Sequence, residues 1–162
     1  DCIDGHGSIL AIASRAGGGL RQVWRRRNAL GVFMTITFNH TIVAARDKKQ
    51  SATFLTELFD LPSPTPFAQF MMVTVGNDVS LDYADVPNGE KIPSQHYAFL
   101  VSEDEFDAIY GRIRASGLDH WADPMASRPG EINHNDGGRG VYFKDPAGHY
   151  MEILTRPYGS GG

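Results

Sequence analysis

The sequence predicts an α+β domain made of two similar halves. The first observation behind this prediction is a repeated order of patterns, since a strand, a helix and further strand signals occur twice after Met34. The second is size, because 162 residues with 41% hydrophobic content suit one globular domain with its own core. We therefore predict a folded domain over residues 34–162, with modules at about 34–86 and 94–157.

The first module opens with an alternating run, MTITFNHTIVAA. This run predicts a strand with one buried face, formed by Ile36, Phe38, His40 and Ile42. The next segment, DKKQSATFLTELFDLP, carries an apolar stripe at helical spacing and predicts a helix that Pro62 ends. Two strand signals follow, FAQFMMVTV and DVSLDYAD, and Gly76-Asn77 between them favours a turn.

The second module repeats this order. The run SQHYAFLV predicts a strand, and Ser102 with Glu105 predicts a capping box at the start of a helix that ends at Gly117. A short strand is expected in DHWADPM, and RGVYFKD with HYMEILT predicts a hairpin around Asp145-Pro146-Ala147-Gly148. The final RPYGSGG is typical of a flexible tail.

Charge and cysteine content exclude several classes of function. The formal net charge of −4 argues against a broad nucleic-acid-binding surface, and no apolar run is long enough to span a membrane. The single cysteine, Cys2, excludes an intramolecular disulfide framework and a cysteine-rich zinc site. We expect a protein of a reducing compartment, the cytoplasm, that binds neither nucleic acid nor membrane.

Residues 1–33 differ in composition from the rest. They carry a net charge of +3, from five arginines and two aspartates, whereas the remainder carries −7. The segment is glycine-rich and has little periodicity, and it lacks the apolar region of a secretory signal. We interpret residues 1–33 as a leader or disordered segment, and we favour the interpretation that this segment is not native to the protein.

Three residues on predicted strands could bind a metal ion. His40 and His96 lie on the first strand of each module, Glu152 lies on the last strand of the second, and each has apolar neighbours on its own face. A buried imidazole or carboxylate is costly unless it is paired or bound to a metal. Two histidines and one carboxylate can form a facial triad with open positions for substrate and for oxygen or water. A lone strand histidine is more often a hydrogen-bonded core residue than a ligand, so the metal prediction rests on all three residues occupying equivalent strand positions.

Asp82 occupies in the first module the place that Glu152 holds in the second, when SLDYA is aligned with YMEIL. Three interpretations stay open for it at this point: a fourth ligand, an acid/base carboxylate, or an exposed strand residue.

The segment from about Phe38 to Thr155 resembles the vicinal oxygen chelate superfamily, which includes glyoxalase I and the bleomycin-resistance and fosfomycin-resistance proteins. The run INHNDGGRGVYFKDPAGHYMEI is similar to the signature of another branch, the extradiol dioxygenases. Its matching elements are His134, Tyr142 after Val141, the Asp-Pro-Ala-Gly turn and Glu152. The resemblance implies two βαβββ modules that form a curved, mixed eight-stranded sheet around a metal or ligand cavity.

The resemblance also implies site residues. His40, His96 and Glu152 would bind one divalent metal ion, with Fe(II) favoured and Mn, Ni or Zn as alternatives. Tyr142 matches a tyrosine that hydrogen-bonds the substrate, and His134 matches an outer-sphere histidine of the dioxygenases; the residues alone allow a core aromatic and a loop histidine instead. Asp82 would be the acid/base carboxylate, on the strand where the dioxygenases carry a histidine.

The resemblance implies an enzyme acting on a small molecule with vicinal oxygens, and three functions follow from it. The favoured one is a metal-dependent oxidoreductase of dioxygenase type, although this chain has one copy of a unit that those enzymes use twice. The second is a metal-dependent lyase, isomerase or fosfomycin-type thiol transferase, for which the only cations near the site loops are Arg128, Arg139 and Lys144. The third is a metal-free drug-binding protein, which predicts loss of the ligands. Single-unit proteins of this superfamily usually dimerise, so we expect a homodimer.

Overall fold

The computed structural model describes residues 36–161, together with the backbone of Leu10–Ile12 (β1) and Val23–Arg25 (β2). Contacts divide the chain into two units, residues 1–38 and 39–162. In the first unit β1 pairs with β2 in antiparallel orientation. Most of the segment interpreted as a leader, and the predicted strand start at residues 34–35, lie outside the described residues, so that interpretation stays a prediction.

The second unit contains the two predicted modules. The first consists of β3 (His40–Ala45), α1 (Lys48–Phe59), β4 (Thr65–Phe67), β5 (Phe70–Thr74) and β6 (Ser80–Asp85). The second consists of β7 (His96–Leu100), α2 (Glu103–Ala115), β8 (His120–Trp121), β9 (Gly140–Lys144) and β10 (Tyr150–Leu154).

Both modules have the same topology. Their sheet orders are β3-β6-β5-β4 and β7-β10-β9-β8, so the first strand of each module pairs in parallel with the last, and the other pairs are antiparallel. The α+β fold with two βαβββ modules is confirmed. Its eight strands form two mixed four-stranded sheets in the described part of the chain.

Two strand boundaries differ from the sequence patterns. Residues 36–39 have no regular secondary structure, and the first strand begins at His40. The run predicted as one strand from Phe67 is a hairpin, because β4 ends at Phe67 and β5 starts at Phe70. Ala68 lies in the left-handed region at φ 49°, which reverses the chain between them.

The helix ends follow from local capping. Asp47 accepts hydrogen bonds from the backbone of Lys49 and Gln50 at the start of α1. The predicted capping box of Ser102 and Glu105 starts α2. At the end of α2 Gly117 has φ 67°. Its N–H donates to the Arg114 carbonyl and the Leu118 N–H donates to the Ile113 carbonyl, and this pair of bonds is a Schellman motif. Neither helix of the described chain is long and apolar enough to cross a membrane.

The two helices cover one face of the sheets, and on the other face the first strand of each module is exposed. On β3 the buried residues are Val43 and Ala45, and they pack with Leu55 of α1. Ile42 is 57% exposed, so the predicted burial of the face that carries His40 and Ile42 is wrong. Both faces of this strand are apolar, and the alternation alone does not say which of them the helix covers.

The modules are joined by a buried histidine and by aromatic contacts. His149 is fully buried, accepts a hydrogen bond from the Gln95 N–H at 3.0 Å, and donates one to the Ala44 carbonyl at 2.8 Å. The rings of Phe59 and Phe99 meet edge-on, 5.0 Å apart. These contacts fix the sheet of the second module against the first.

Candidate metal centre

The centre of the candidate site is a histidine–glutamate pair on neighbouring parallel strands. In the register of β7 and β10 Glu152 lies opposite Ala98, which places its side chain diagonally across from His96 on the same face. His96 Nε2 lies 3.1 Å from Glu152 Oε2. The carboxylate is 1% exposed, whereas the His96 side chain is 46% exposed. The pair therefore joins a buried carboxylate to an imidazole that faces the open side of the sheet.

The spacing of this pair fits two ligands of one divalent metal ion. Donor atoms at about 2.1 Å from a metal, arranged at a right angle, lie about 3 Å apart. The 3.1 Å between Nε2 and Oε2 matches this separation. Imidazole and carboxylate are also donors that Fe, Mn, Ni and Zn sites share, so the donor set does not select one of these metals.

Two tyrosines continue the hydrogen-bonded chain from Glu152. The hydroxyl of Tyr158 donates to Glu152 Oε1 at 2.5 Å, and the hydroxyl of Tyr142 lies 2.6 Å from that of Tyr158. Because the single proton of Tyr158 goes to the carboxylate, Tyr142 is the donor to Tyr158. Tyr142 lies directly opposite Glu152 in the register of β9 and β10, and its ring is 5.6 Å from that of His96.

Both phenols are held in their neutral form. Burial, then the hydrogen bond with Tyr158, raises the pKa of Tyr142 well above its usual value. Burial and the hydrogen bond to Glu152 raise the pKa of Tyr158 as well. At neutral pH each phenol is therefore a hydrogen-bond donor.

Tyr158 is the site residue that the sequence patterns missed. Residues 157–161 of the expected flexible tail contain a hydrogen-bonded turn, in which the Ser160 N–H donates to the Pro157 carbonyl and Gly159 has φ 74°. The Gly161 N–H also reaches Asp136 Oδ1 at 3.3 Å. The one available signal was Pro-Tyr-Gly-Ser, whose glycine at the third position favours a type II turn.

His40 lies apart from this pair within one chain. It is exposed on the open face of β3, and its Nδ1 is 2.8 Å from Asn39 Oδ1. Among the residues that the structure describes, no group of three His, Cys, Asp or Glu side chains is placed to hold a metal ion. Of the three predicted ligands, one chain thus brings together His96 and Glu152.

Asp82 holds the predicted equivalent position in the first module. It lies opposite Ile42 in the register of β3 and β6, as Glu152 lies opposite Ala98. Asp82 is buried and accepts a hydrogen bond from the Ser80 hydroxyl at 2.9 Å. It is therefore not the exposed strand residue of the third interpretation.

His134 lies on the loop before β9. It is exposed and directly precedes the short 3₁₀ turn Asn135–Gly137, without a side-chain hydrogen bond to that turn. The structure does not bring it to the His96–Glu152 pair.

The three cations near the site loops all have partners. Arg139 binds Glu103 and Asp107 at 2.6 and 2.5 Å. Lys144 Nζ lies 4.7 Å from the centre of the Tyr150 ring, and Arg128 Nε is 3.8 Å from Asp123. An anionic substrate would have to compete with these contacts.

Known proteins resemble this chain over most of its length. Residues 37–153 match the family described as the Glyoxalase/Bleomycin resistance protein/Dioxygenase superfamily. The solved structure of Oxidase ChaP-H2 is 62% identical with a TM-score of 0.76, and the match covers 80% of this chain and all of the other. Oxidase ChaP-H1 is 59% identical with a TM-score of 0.74, covering 77% and 99%. The glutathione transferase FosA of Serratia marcescens is 29% identical over 126 residues, covering 74% of this chain and 81% of the relative.

Proposed function

Because this chain belongs to the glyoxalase/bleomycin resistance protein/dioxygenase superfamily, we propose that it is a metal-dependent oxidase of a small molecule with vicinal oxygens. The observation that carries the proposal is the pair of buried Glu152 and half-exposed His96 at ligand spacing. The choice of reaction rests on the 62% identity to an oxidase across that protein's whole length. Fe(II) is the favoured metal, since two histidines and one carboxylate are its common ligand set in oxygenases.

The third ligand of the proposed centre is His40 of a second copy of the chain. His96 and Glu152 supply two donors, and no third acidic, histidine or cysteine side chain of residues 36–161 joins them. Beside the two histidines, on the same open faces, Ile42 is 57% and Leu100 is 61% exposed. An apolar surface next to an incomplete site is what a symmetric dimer would cover. We therefore propose a homodimer with two shared metal centres.

The metal, when bound, would supply Lewis acidity towards vicinal oxygens and, if it is iron, redox chemistry with O₂. The side chains around it have separate tasks. Tyr142 lies on the same face as Glu152, and because its proton goes to Tyr158, its oxygen can accept a hydrogen bond from a substrate hydroxyl. Asp82 is the candidate base that takes a proton from a substrate hydroxyl. His134, on the exposed loop before β9, is the candidate outer-sphere residue, as its match to the dioxygenase histidine implies.

The second candidate function is a thiol transferase. It is favoured by the similarity to the glutathione transferase FosA. The partners of Arg128, Arg139 and Lys144 argue against a fosfomycin-like substrate, because a phosphonate needs free cations. A metal-free drug-binding protein is disfavoured, since all three ligand residues are retained.

The first test is the metal content of protein purified without chelators, measured by mass spectrometry. His96→Ala removes a proposed ligand, and His120→Ala is a matched control, since His120 hydrogen-bonds the Leu118 carbonyl at 3.0 Å outside the site. We expect iron near one per chain in the wild type and in the control but not in His96→Ala, and oxygen uptake with catechols. Manganese, nickel or zinc lost in the same way would favour the lyase or transferase. A wild type without metal after anaerobic reconstitution would refute the metal centre.

A further inference from the structure

The two oxygens of Glu152 have different partners. Oε2 faces His96 Nε2 at 3.1 Å, whereas Oε1 accepts a 2.5 Å hydrogen bond from the Tyr158 hydroxyl. A carboxylate can bind a metal through one oxygen or through both. With Oε1 engaged by a phenol, only Oε2 is directed to the side where His96 lies.

We propose that Tyr158 is a positioning residue that restricts Glu152 to binding the metal through a single oxygen. This inference rests on the proposed metal centre. It assigns a role to the C-terminal turn, which keeps a coordination position free for substrate by occupying the oxygen that would otherwise take it.

The backbone of the C-terminal segment is built to hold Tyr158 in place. The turn from Pro157 to Ser160 is closed by a backbone hydrogen bond, and Gly161 docks on the loop through Asp136 Oδ1 at 3.3 Å. This docking is close, since a Cβ on Gly161 would lie 2.7 Å from the Asp136 Cα. Tyr158 is therefore held from both directions along the chain. The turn fixes it at Pro157, and the loop Asn135–Gly137 fixes the tail at Gly161.

Burial does not explain the position of the Tyr158 ring. The residue is 56% exposed, although its hydroxyl makes two short contacts inside the site. A tyrosine placed for packing buries its ring, and its hydroxyl reaches towards water. Here the polar end points inwards, so the hydroxyl rather than the ring accounts for the position.

Tyr142 completes the arrangement from the other side. It donates to the Tyr158 oxygen at 2.6 Å, which leaves the Tyr158 proton directed at Glu152. We therefore expect Tyr142→Phe to change the metal site less than Tyr158→Phe, because the 2.5 Å hydrogen bond to Oε1 comes from the Tyr158 hydroxyl.

The test uses Co(II) as the probe, added to the metal-free chain of 162 residues. Affinity is measured by competition with a chelator, and the visible absorption spectrum reports the coordination number. We expect Tyr158→Phe to weaken Co(II) binding about 10- to 100-fold, as removal of a ligand's hydrogen-bond partner does. We also expect weaker visible bands, since Oε1 becomes free to bind and the coordination number rises.

A matched control is Tyr110→Phe, which removes a phenol whose oxygen lies 3.5 Å from His120 and should leave affinity and spectrum unchanged. Circular dichroism and the thermal midpoint check that both variants fold. Co(II) binding by Tyr158→Phe with wild-type affinity and spectrum would overturn the role of Tyr158 and leave the metal centre standing. A wild type that binds no Co(II) would overturn the metal centre and this inference with it.

Discussion

The proposed metal centre, shared between two chains of the proposed homodimer, predicts that two inactive variants restore each other. His40→Ala removes one proposed ligand, and Glu152→Gln removes another while keeping an oxygen that can accept the hydrogen bond from Tyr158. Each variant alone has no complete site in its homodimer. A dimer of one chain of each type contains an intact His40 on one chain and an intact His96–Glu152 pair on the other.

The size of the recovery follows from the symmetry of the dimer. A two-fold axis gives two equal sites, each built from His40 of one chain and the His96–Glu152 pair of the other. In a mixed dimer one site is complete and the second lacks two ligands. Random mixing makes about half of the dimers mixed, so about a quarter of the wild-type metal content per chain returns. If all three ligands came from one chain, nothing would return.

The assay mixes the two variants by unfolding and refolding, or by co-expression with two tags that isolate the mixed dimer. Metal content and oxygen uptake are then compared with the wild type. The control mixes His96→Ala with Glu152→Gln. Because His96 and Glu152 contact each other within one chain at 3.1 Å, every site in that mixed dimer lacks one ligand and no recovery is expected.

Two results would refute the reasoning. Isolated mixed dimers of His40→Ala and Glu152→Gln that bind no metal would show that the site is not shared in this way. Recovery in the control mixture equal to that in the test mixture would show that His96 and Glu152 do not act as a pair from one chain.

Three other perturbations separate catalysis from stability. Asp82→Asn should lower turnover by at least about 100-fold, as loss of a general base does, at unchanged metal content; wild-type turnover would contradict this. His149→Ala leaves one backbone group of each module unpaired and should cost about 2–6 kcal/mol in urea unfolding. The control His134→Ala changes an exposed residue and should alter the free energy of unfolding by no more than about 0.5 kcal/mol. A loss of stability in His149→Ala no larger than in this control would contradict the role of His149 in joining the two modules. Ser102→Ala should cost about 1 kcal/mol. The Ser102 backbone N–H, which the variant keeps, and the Ser102 hydroxyl, which it loses, lower the pKa of Glu105 from 4.5. The contribution of the hydroxyl is therefore complete above pH 4.5 and is lost as pH falls through the folded pKa. A difference that does not change with pH would contradict the capping box.

Features that depend on neighbours in sequence were predictable. The helix start at Ser102 follows from a residue three positions later, and the helix end follows from a glycine with positive φ at residue 117. The strands that carry His96 and Glu152 follow from the alternation around each of these residues. Each of these signals is local, so one sequence was enough to find it.

Features that depend on distant contacts were not predictable. Tyr158 reaches the site because the tail docks on a loop more than twenty residues earlier, through Asp136. The covered face of β3 was misjudged for a similar reason. Ile42 and Val43 are both apolar, and only the packing of α1 against Val43 decides between the two faces.

The two modules differ in the length of one acidic side chain, since Asp82 is one methylene group shorter than Glu152, and in the residue that contacts it. Their strands have the same register, so Asp82 stands to His40 as Glu152 stands to His96. Glu152 is long enough to reach the imidazole, whereas Asp82 is shorter and is held instead by the Ser80 hydroxyl at 2.9 Å. The first module therefore keeps a histidine without a carboxylate partner and a carboxylate without a histidine. That separation leaves His40 free to serve as a ligand for a second chain and Asp82 free to accept a proton, which is the division of tasks that the proposed oxidase needs.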